Sequence, residues 1–162
     1  MADLLVRLND LPVFEAEQKV RDAGIVLRRG NSFERDVILD WIGRHFYGPW
    51  VSEAALALSQ QPATIYVAVK DGVLLGFACY DTSAKGFFGP TGVDEAARGQ
   101  GIGEALLITT LKGMRDAGYG YAVIGAPGPV AGYQKRLDAL EIPKSEPGIY
   151  AGMLRAQSDA VD

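Results

Sequence analysis

Residues 93–107 read Val93-Asp94-Glu95-Ala96-Ala97-Arg98-Gly99-Gln100-Gly101-Ile102-Gly103-Glu104-Ala105-Leu106-Leu107. Three glycines at alternate positions follow an arginine and lead into an apolar run spaced for a helix. Such glycines let successive backbone N–H groups converge without Cβ interference. A helix N-terminus behind them adds the positive end of its dipole. Arg98 contributes a planar, permanently charged fork suited to phosphate. A tight strand-to-helix turn alone needs one or two glycines, so the segment reads as an anion site. Two nucleotide-binding loops fail on spacing. No Gly-x-x-x-x-Gly-Lys-Ser/Thr run exists. In Gly-x-Gly-x-x-Gly the third glycine would fall on Glu104, counted from Gly99, or on Leu106, counted from Gly101.

Working outward, Thr64 to Val69 and Val73 to Tyr80 are β-rich runs joined by Asp71-Gly72, a hairpin signal. Phe87 to Val93 is a third strand whose Gly89, Pro90 and Gly92 predict a bulge or close backbone approach. Downstream, Ile102 to Ala117 is a helix with Leu107, Leu111 and Met114 on one stripe and Gly118 at its C-terminal cap. Tyr119 to Ile124 reads as a buried strand, Val130 to Leu140 as a final helix, and Ile149 to Leu154 as a closing strand. Upstream, Phe33, Val37, Ile38, Trp41, Ile42, His45 and Phe46 recur at helical spacing behind an Asn31 or Ser32 cap with Glu34 in place. Val51 to Gln60 forms a second Ala/Leu-rich helix. At the start, Leu4 to Leu8 reads as a strand, Phe14 to Arg21 as a short helix and Ile25 to Leu27 as a brief apolar run. The order of elements predicts an α/β (α+β) fold: a mixed, mostly antiparallel sheet flanked by helices. The glycine-rich segment lies where the antiparallel meander gives way to strand–helix–strand, the place where a sheet leaves a crevice for a ligand.

The chain has 162 residues, 48% hydrophobic and 22% charged, and reads as a single domain over 1–162. One cysteine, Cys79, and one histidine, His45, exclude an internal disulfide, a thiolate zinc cluster and a His-rich metal centre. Cys79 sits in an apolar strand and reads as core rather than nucleophile. A net charge of −4 argues against general nucleic-acid binding. No run of eighteen apolar residues predicts a membrane span, and the first residues carry no targeting pattern. The expected location is the cytoplasm.

The 93–107 segment resembles the acyl-CoA motif of the GNAT superfamily of N-acetyltransferases, Arg/Gln-x-x-Gly-x-Gly/Ala followed by an apolar helix. Arg98, Gly101 and Gly103 stand at its defining positions. The order of elements from Phe33 to Leu140 matches that fold, while residues 1–30 contribute least. The resemblance implies that backbone groups from Arg98 through Gly99, Gln100, Gly101 and Ile102 to Gly103 hold the pyrophosphate of acetyl-CoA. It implies further that Thr91, Gly92 and Val93 pair with the pantetheine arm, and that the Phe87–Val93 strand splays from Tyr119–Ile124 to leave a slot for the thioester. No metal is required.

Acyl transfer to an amine needs a free lone pair, a stabilised oxyanion and a proton for the departing thiolate. By resemblance, Tyr133 in Ala131-Gly132-Tyr133-Gln134-Lys135-Arg136-Leu137 is the proton donor. Two positions depart from the family pattern. Ala126 stands where a pantetheine-contacting Asn is common, and Phe87-Phe88-Gly89-Pro90-Thr91 carries no carboxylate. Asp81, Tyr80 or a water are the alternatives for the base. His45 and Phe46-Tyr47-Gly48-Pro49-Trp50 read either as a border of the acceptor pocket or as core. Lys135 and Arg136 read as a solvated face or as contacts to the cofactor's 3′-phosphate. The expected activity is direct acetyl transfer from acetyl-CoA to a primary amine on a small molecule or peptide. The alternative is a non-catalytic acyl-CoA sensor. A homodimer through the C-terminal strand is compatible with the resemblance.

Overall fold

Hairpin chemistry organises the sheet. Asp71 and Gly72 both adopt positive φ, 50° and 78°, as a two-residue turn between right-twisted strands requires. They join β3 (Ile65–Lys70) to β4 (Val73–Tyr80), with Lys70 directly opposite Val73. The computed structural model describes residues 1–157. Before this hairpin come β1 (Leu4–Arg7) and β2 (Val26–Arg29). After it come β5 (Phe87–Val93), β6 (Tyr121–Ile124) and the two-residue β7 (Leu140–Glu141). They form one mixed sheet in the order β2-β3-β4-β5-β6-β1-β7. Every pairing is antiparallel except β5 with β6. Thus β1 is an interior strand: it pairs with β6 from Leu4 opposite Ile124 to Arg7 opposite Tyr121, and with β7 on its other edge.

Helices cover both faces. On one side α2 (Arg35–His45) and α3 (Pro49–Leu58) bury Ile38, Ile42, Ala54 and Leu58 against Ile65, Phe77 and Cys79. On the other, α1 (Glu15–Asp22) and α4 (Ile102–Asp116) bury Val20, Leu106, Ile108 and Leu111 against Val6, Ala78 and Ile124. The stripe of Leu107, Leu111 and Met114 is completely packed, each 1% exposed or less. Cys79 belongs to the core, and burial pushes its thiol well above the usual range. No helix among the described residues is long and apolar enough to cross a membrane.

The structure departs from the sequence reading in three places. Phe33 and Val37 are 85% and 70% exposed: Phe33 belongs to a 3-10 turn, Ser32–Glu34, that precedes the helix, and Val37 falls beside the buried Ile38, Trp41 and Ile42 face of α2 rather than on it. The expected helix from Val130 to Leu140 is instead a 3-10 turn, Gly128–Tyr133, followed by linked turns. The Val130, Gln134 and Asp138 N–H groups each bond three residues back, and Asp138, with φ of 52°, interrupts the expected span, so no continuous i→i−4 ladder runs through it. The expected closing strand from Ile149 to Leu154 is also absent. A 3-10 turn occupies Gly148–Tyr150, and Gly148 and Gly152 take positive φ. The sheet edge is β7, so a dimer built on a C-terminal strand lacks that strand.

The entry to α2 is fixed by charge. Glu34 accepts both arms of the Arg28 fork, at 2.8 and 2.7 Å, and the Asn31 N–H at 3.0 Å. The Arg28 hydrogen bonds, ahead of the opposing effect of burial, hold the Glu34 carboxyl down at about 2. A depressed folded pKa stabilises above the unfolded value and loses that contribution as pH falls. Urea denaturation should therefore show stability falling between pH 4.5 and 2, with part of the fall absent in Glu34→Gln.

Candidate functional site

β5 is built to separate from its neighbour. Against β4, its register shifts by one residue between Ala78 and Tyr80, placing a bulge at Gly89-Pro90. Against β6, only Phe87 opposite Val123 and Phe88 opposite Ile124 are paired. From Gly89 to Val93 the β6-side edge of β5 has no strand partner, while Thr91, Gly92 and Val93 remain paired to β4 on the other side. A main-chain edge of this kind can accept an extended ligand that has its own amide groups.

The open edge leads directly to the glycine-rich turn. Asp94 Oδ1 accepts the Ala96 N–H at 3.0 Å and starts a 3-10 turn over Glu95–Ala97. Arg98 then extends, its Nε 3.4 Å from the Val93 carbonyl. Gly99 and Gly101 adopt φ of 87° and 84°, and Gly101 is the N-cap of α4. The N–H groups of Ile102, Gly103 and Glu104, in the first turn, have no intrahelical acceptor. Arg98, Gly99 and Gln100 are exposed beside them. The turn therefore offers free donors, a helix dipole and an exposed guanidinium at the end of an unpaired strand edge. That donor set fits an acyl-CoA: anion at the turn, amide-bearing arm along β5.

Around this turn lies a cavity of about 330 Å³ lined by Lys19, Gly101, Glu104 and Arg136, among others. Arg136 stacks on Phe14, 4.0 Å from the ring centroid, and pairs with Glu104. Thus Arg136 is engaged with the first turn of α4, and it offsets the carboxylate there. Lys19, from the least legible part of the sequence, is the further cation. Tyr133 ends the 3-10 turn after β6 and packs on Phe14, centroids 5.9 Å apart. Burial, with the Glu104 carboxylate adding to it and Arg136 opposing it, raises the Tyr133 phenol above its ordinary value. It remains protonated at neutral pH.

Behind β5 stands the aromatic group. The far end of the Phe46 ring meets Gly92, its atoms 2.6 to 3.0 Å from where a Cβ would sit, and the ring contacts Trp41, Trp50 and Phe77. His45 stacks on Trp41 at 4.6 Å, its Nδ1 2.9 Å from the Trp41 carbonyl oxygen. These side chains support the open strand from the rear, and Tyr47 is 61% exposed.

Neither Tyr80 nor Asp81 faces the open edge. The Tyr80 hydroxyl accepts from Arg29 at 2.9 Å, and Asp81 accepts from Tyr119 at 2.7 Å. A different carboxylate approaches. Glu53, on α3, accepts from Ser83, and the Tyr150 phenol neighbours both Ser83 and Glu53. The Tyr150 oxygen lies 2.9 Å from where a Cβ on Gly125 would sit, next to the Phe87 ring. Gly125 is the first residue after β6, so this group sits at the apex of the opening, on the α3 face. A single Glu in an Ala-rich helix and a Tyr near the end of the chain share no local pattern, so sequence reasoning had no signal for them.

The sequence model of the acetyltransferase (GNAT) family matches residues 35–128. No functionally curated protein matches the chain in sequence. In fold, the chain is similar to a GCN5-related N-acetyltransferase from Kribbella flavida, at 19% identity and a TM-score of 0.61, over 86% of this chain and 53% of that one. It is also similar to a GCN5-related glucosamine N-acetyltransferase region of a fungal multi-domain GH3 β-N-acetylglucosaminidase, at 14% identity and 0.68, over 87% of this chain and 19% of that one. The chain spans about half of the bacterial protein and about a fifth of the fungal one.

The two left-handed glycines separate conformational strain from packing. An alanine at Gly99 meets open space, whereas at Gly101 its Cβ would lie 3.1 Å from Ala16. Gly99→Ala should cost about 1 kcal/mol in urea denaturation, and Gly101→Ala more, because α1 must also shift. Equal losses would show that α1 does not brace the turn.

Proposed function

Because the chain belongs to the GNAT acetyltransferase family, we propose that it moves an acetyl group from acetyl-CoA to a primary amine on a small molecule or peptide, by direct attack. The observation that carries this reading is the unpaired β5 edge from Gly89 to Val93 ending at the donor-rich turn. In this reading the turn from Arg98 to Gly103 holds the pyrophosphate, and Thr91, Gly92 and Val93 align the pantetheine amides. The amine nitrogen attacks the thioester carbonyl, the C–S bond breaks, and Tyr133 gives its phenolic proton to the leaving thiolate. Glu53, positioned by Ser83 on the opposite face of the sheet, takes the proton that the amine loses, directly or through a water. Residues 1–162 act as one catalytic domain.

Tyr133→Phe should lower kcat on the order of 10²-fold and leave the acetyl-CoA Kd from calorimetry within about twofold. An unchanged kcat would remove Tyr133 from the chemistry. Glu53→Gln should also lower kcat while leaving the acetyl-CoA Kd within about twofold, a split that a purely structural role would not produce. Amine-dependent thiol release is the primary assay. Acetyl-CoA binding without release from any amine in a broad panel would favour an acyl-CoA sensor instead.

A further inference from the structure

A second cavity, of about 540 Å³, lies at the other end of α4. It is walled by the ends of β2 and β4, the start of β3 and the last turn of α4, and the reaction above does not use it. Its floor is Arg29. Aromatic rings flank the guanidinium, Tyr66 at 4.9 Å and Tyr80 at 5.7 Å from their centroids. Nη1 donates to the Ala63 carbonyl at 2.6 Å and to the Tyr80 hydroxyl at 2.9 Å. Nη2 and Nε make no hydrogen bond, and no carboxylate lies within 4.0 Å, among the described residues. A half-buried guanidinium without a counter-ion is uncommon, since burial of a charge is costly unless it is paired.

Beside it, Thr64 is only 8% exposed, and its hydroxyl has no hydrogen-bond partner. A buried hydroxyl without a partner calls for an explanation. The nearest acid cannot supply one. The Asp81 carboxylate is already taken by the Tyr119 hydroxyl at 2.7 Å, the Gly86 N–H at 2.8 Å and Lys85 at 3.7 Å. The cavity therefore has unspent donors at its floor. Its mouth carries the Asp116 carboxylate, which shares one oxygen with the Arg115 guanidinium at 3.2 Å, and the C-terminal end of α4, the negative end of the helix dipole.

We infer that this cavity binds a free amino acid, with the carboxylate on the unused edge of Arg29 and on the Thr64 hydroxyl, and the ammonium toward Asp116 and the end of α4. An Arg fork accepts a carboxylate through two parallel hydrogen bonds. The loop between β4 and β5 links this cavity to the opening in the sheet. Asp81 and Lys85 face the cavity, while Thr82 donates to the Gly89 carbonyl at the β5 bulge, 3.1 Å, and Ser83 donates to Glu53. The bound amino acid is therefore a regulator rather than the acceptor.

The test is calorimetry and thermal denaturation of the full chain with the common L-amino acids, using acetate, methylamine and inorganic phosphate as part-ligands. At least one amino acid should raise Tm and bind tenfold or more tightly than acetate, with methylamine silent. Thr64→Val should raise the Tm of the free protein, since it removes the orphan hydroxyl, and weaken amino-acid binding at least tenfold. Arg29→Met should abolish that binding. Neither variant should change the acetyl-CoA Kd, so the result is independent of the transferase reading. Binding by no amino acid, equal binding to Thr64→Val, or phosphate binding more tightly than any amino acid would each overturn the inference.

Discussion

Two parallel strands that meet for only two residues set the geometry of everything else in the molecule. β5 and β6 pair at Phe87 and Phe88 and then part, and the bulge at Gly89-Pro90 turns β5 away from the line it would otherwise follow. A backbone edge left open inside a sheet is costly unless its polar groups find partners in solvent or in a ligand. Here the opening is tolerated because β5 stays paired to β4 and is backed by Phe46, whose ring reaches Gly92 for want of a Cβ there. The glycine in the strand and the phenylalanine at the end of α2 thus form one feature.

The opening also sorts the surrounding groups by face. α1, α4, Tyr133 and the Glu104–Arg136 pair stand on one side, with the free donors of the turn. α2, α3, Glu53 and Tyr150 stand on the other. In the proposed reaction, Tyr133 as donor and Glu53 as acceptor would work from opposite faces of the slot, as a step needs that gives up a proton at the incoming nitrogen and takes one at the leaving sulfur. In this arrangement Arg136 keeps the Glu104 carboxylate from opposing an anion at the turn.

Much of this was legible in the sequence where the signals are local. The Asp71-Gly72 hairpin, the stripe of Leu107, Leu111 and Met114, the bulge in Phe87–Val93 and the turn at Gly99 to Gly103 each depend on residues a few positions apart, and each lies as expected. Between Val130 and Leu140 the apolar spacing suggests a helix, but Gly132 and the left-handed Asp138 outweigh it. Glu53, Ser83 and Tyr150 come together only through tertiary packing of α3, a loop and the last turn. Asp81 and Tyr80 were candidate bases on sequence proximity alone, and the fold turns both toward Arg29 and Tyr119 instead.

The interior position of β1 has a consequence for the order of assembly. Its partner β6 lies about 120 positions further along the chain, and β7, on its other edge, is later still. Contacts this distant in sequence carry a large loop-closure cost and form late. During synthesis β1 is made first and must wait, with Leu4 and Val6 uncovered, while the β2–β5 meander, rich in neighbouring contacts, is able to form without it. The outer third of the sheet closes only when β6 arrives. The half of the slot contributed by β6 therefore acquires its shape after the half contributed by β5.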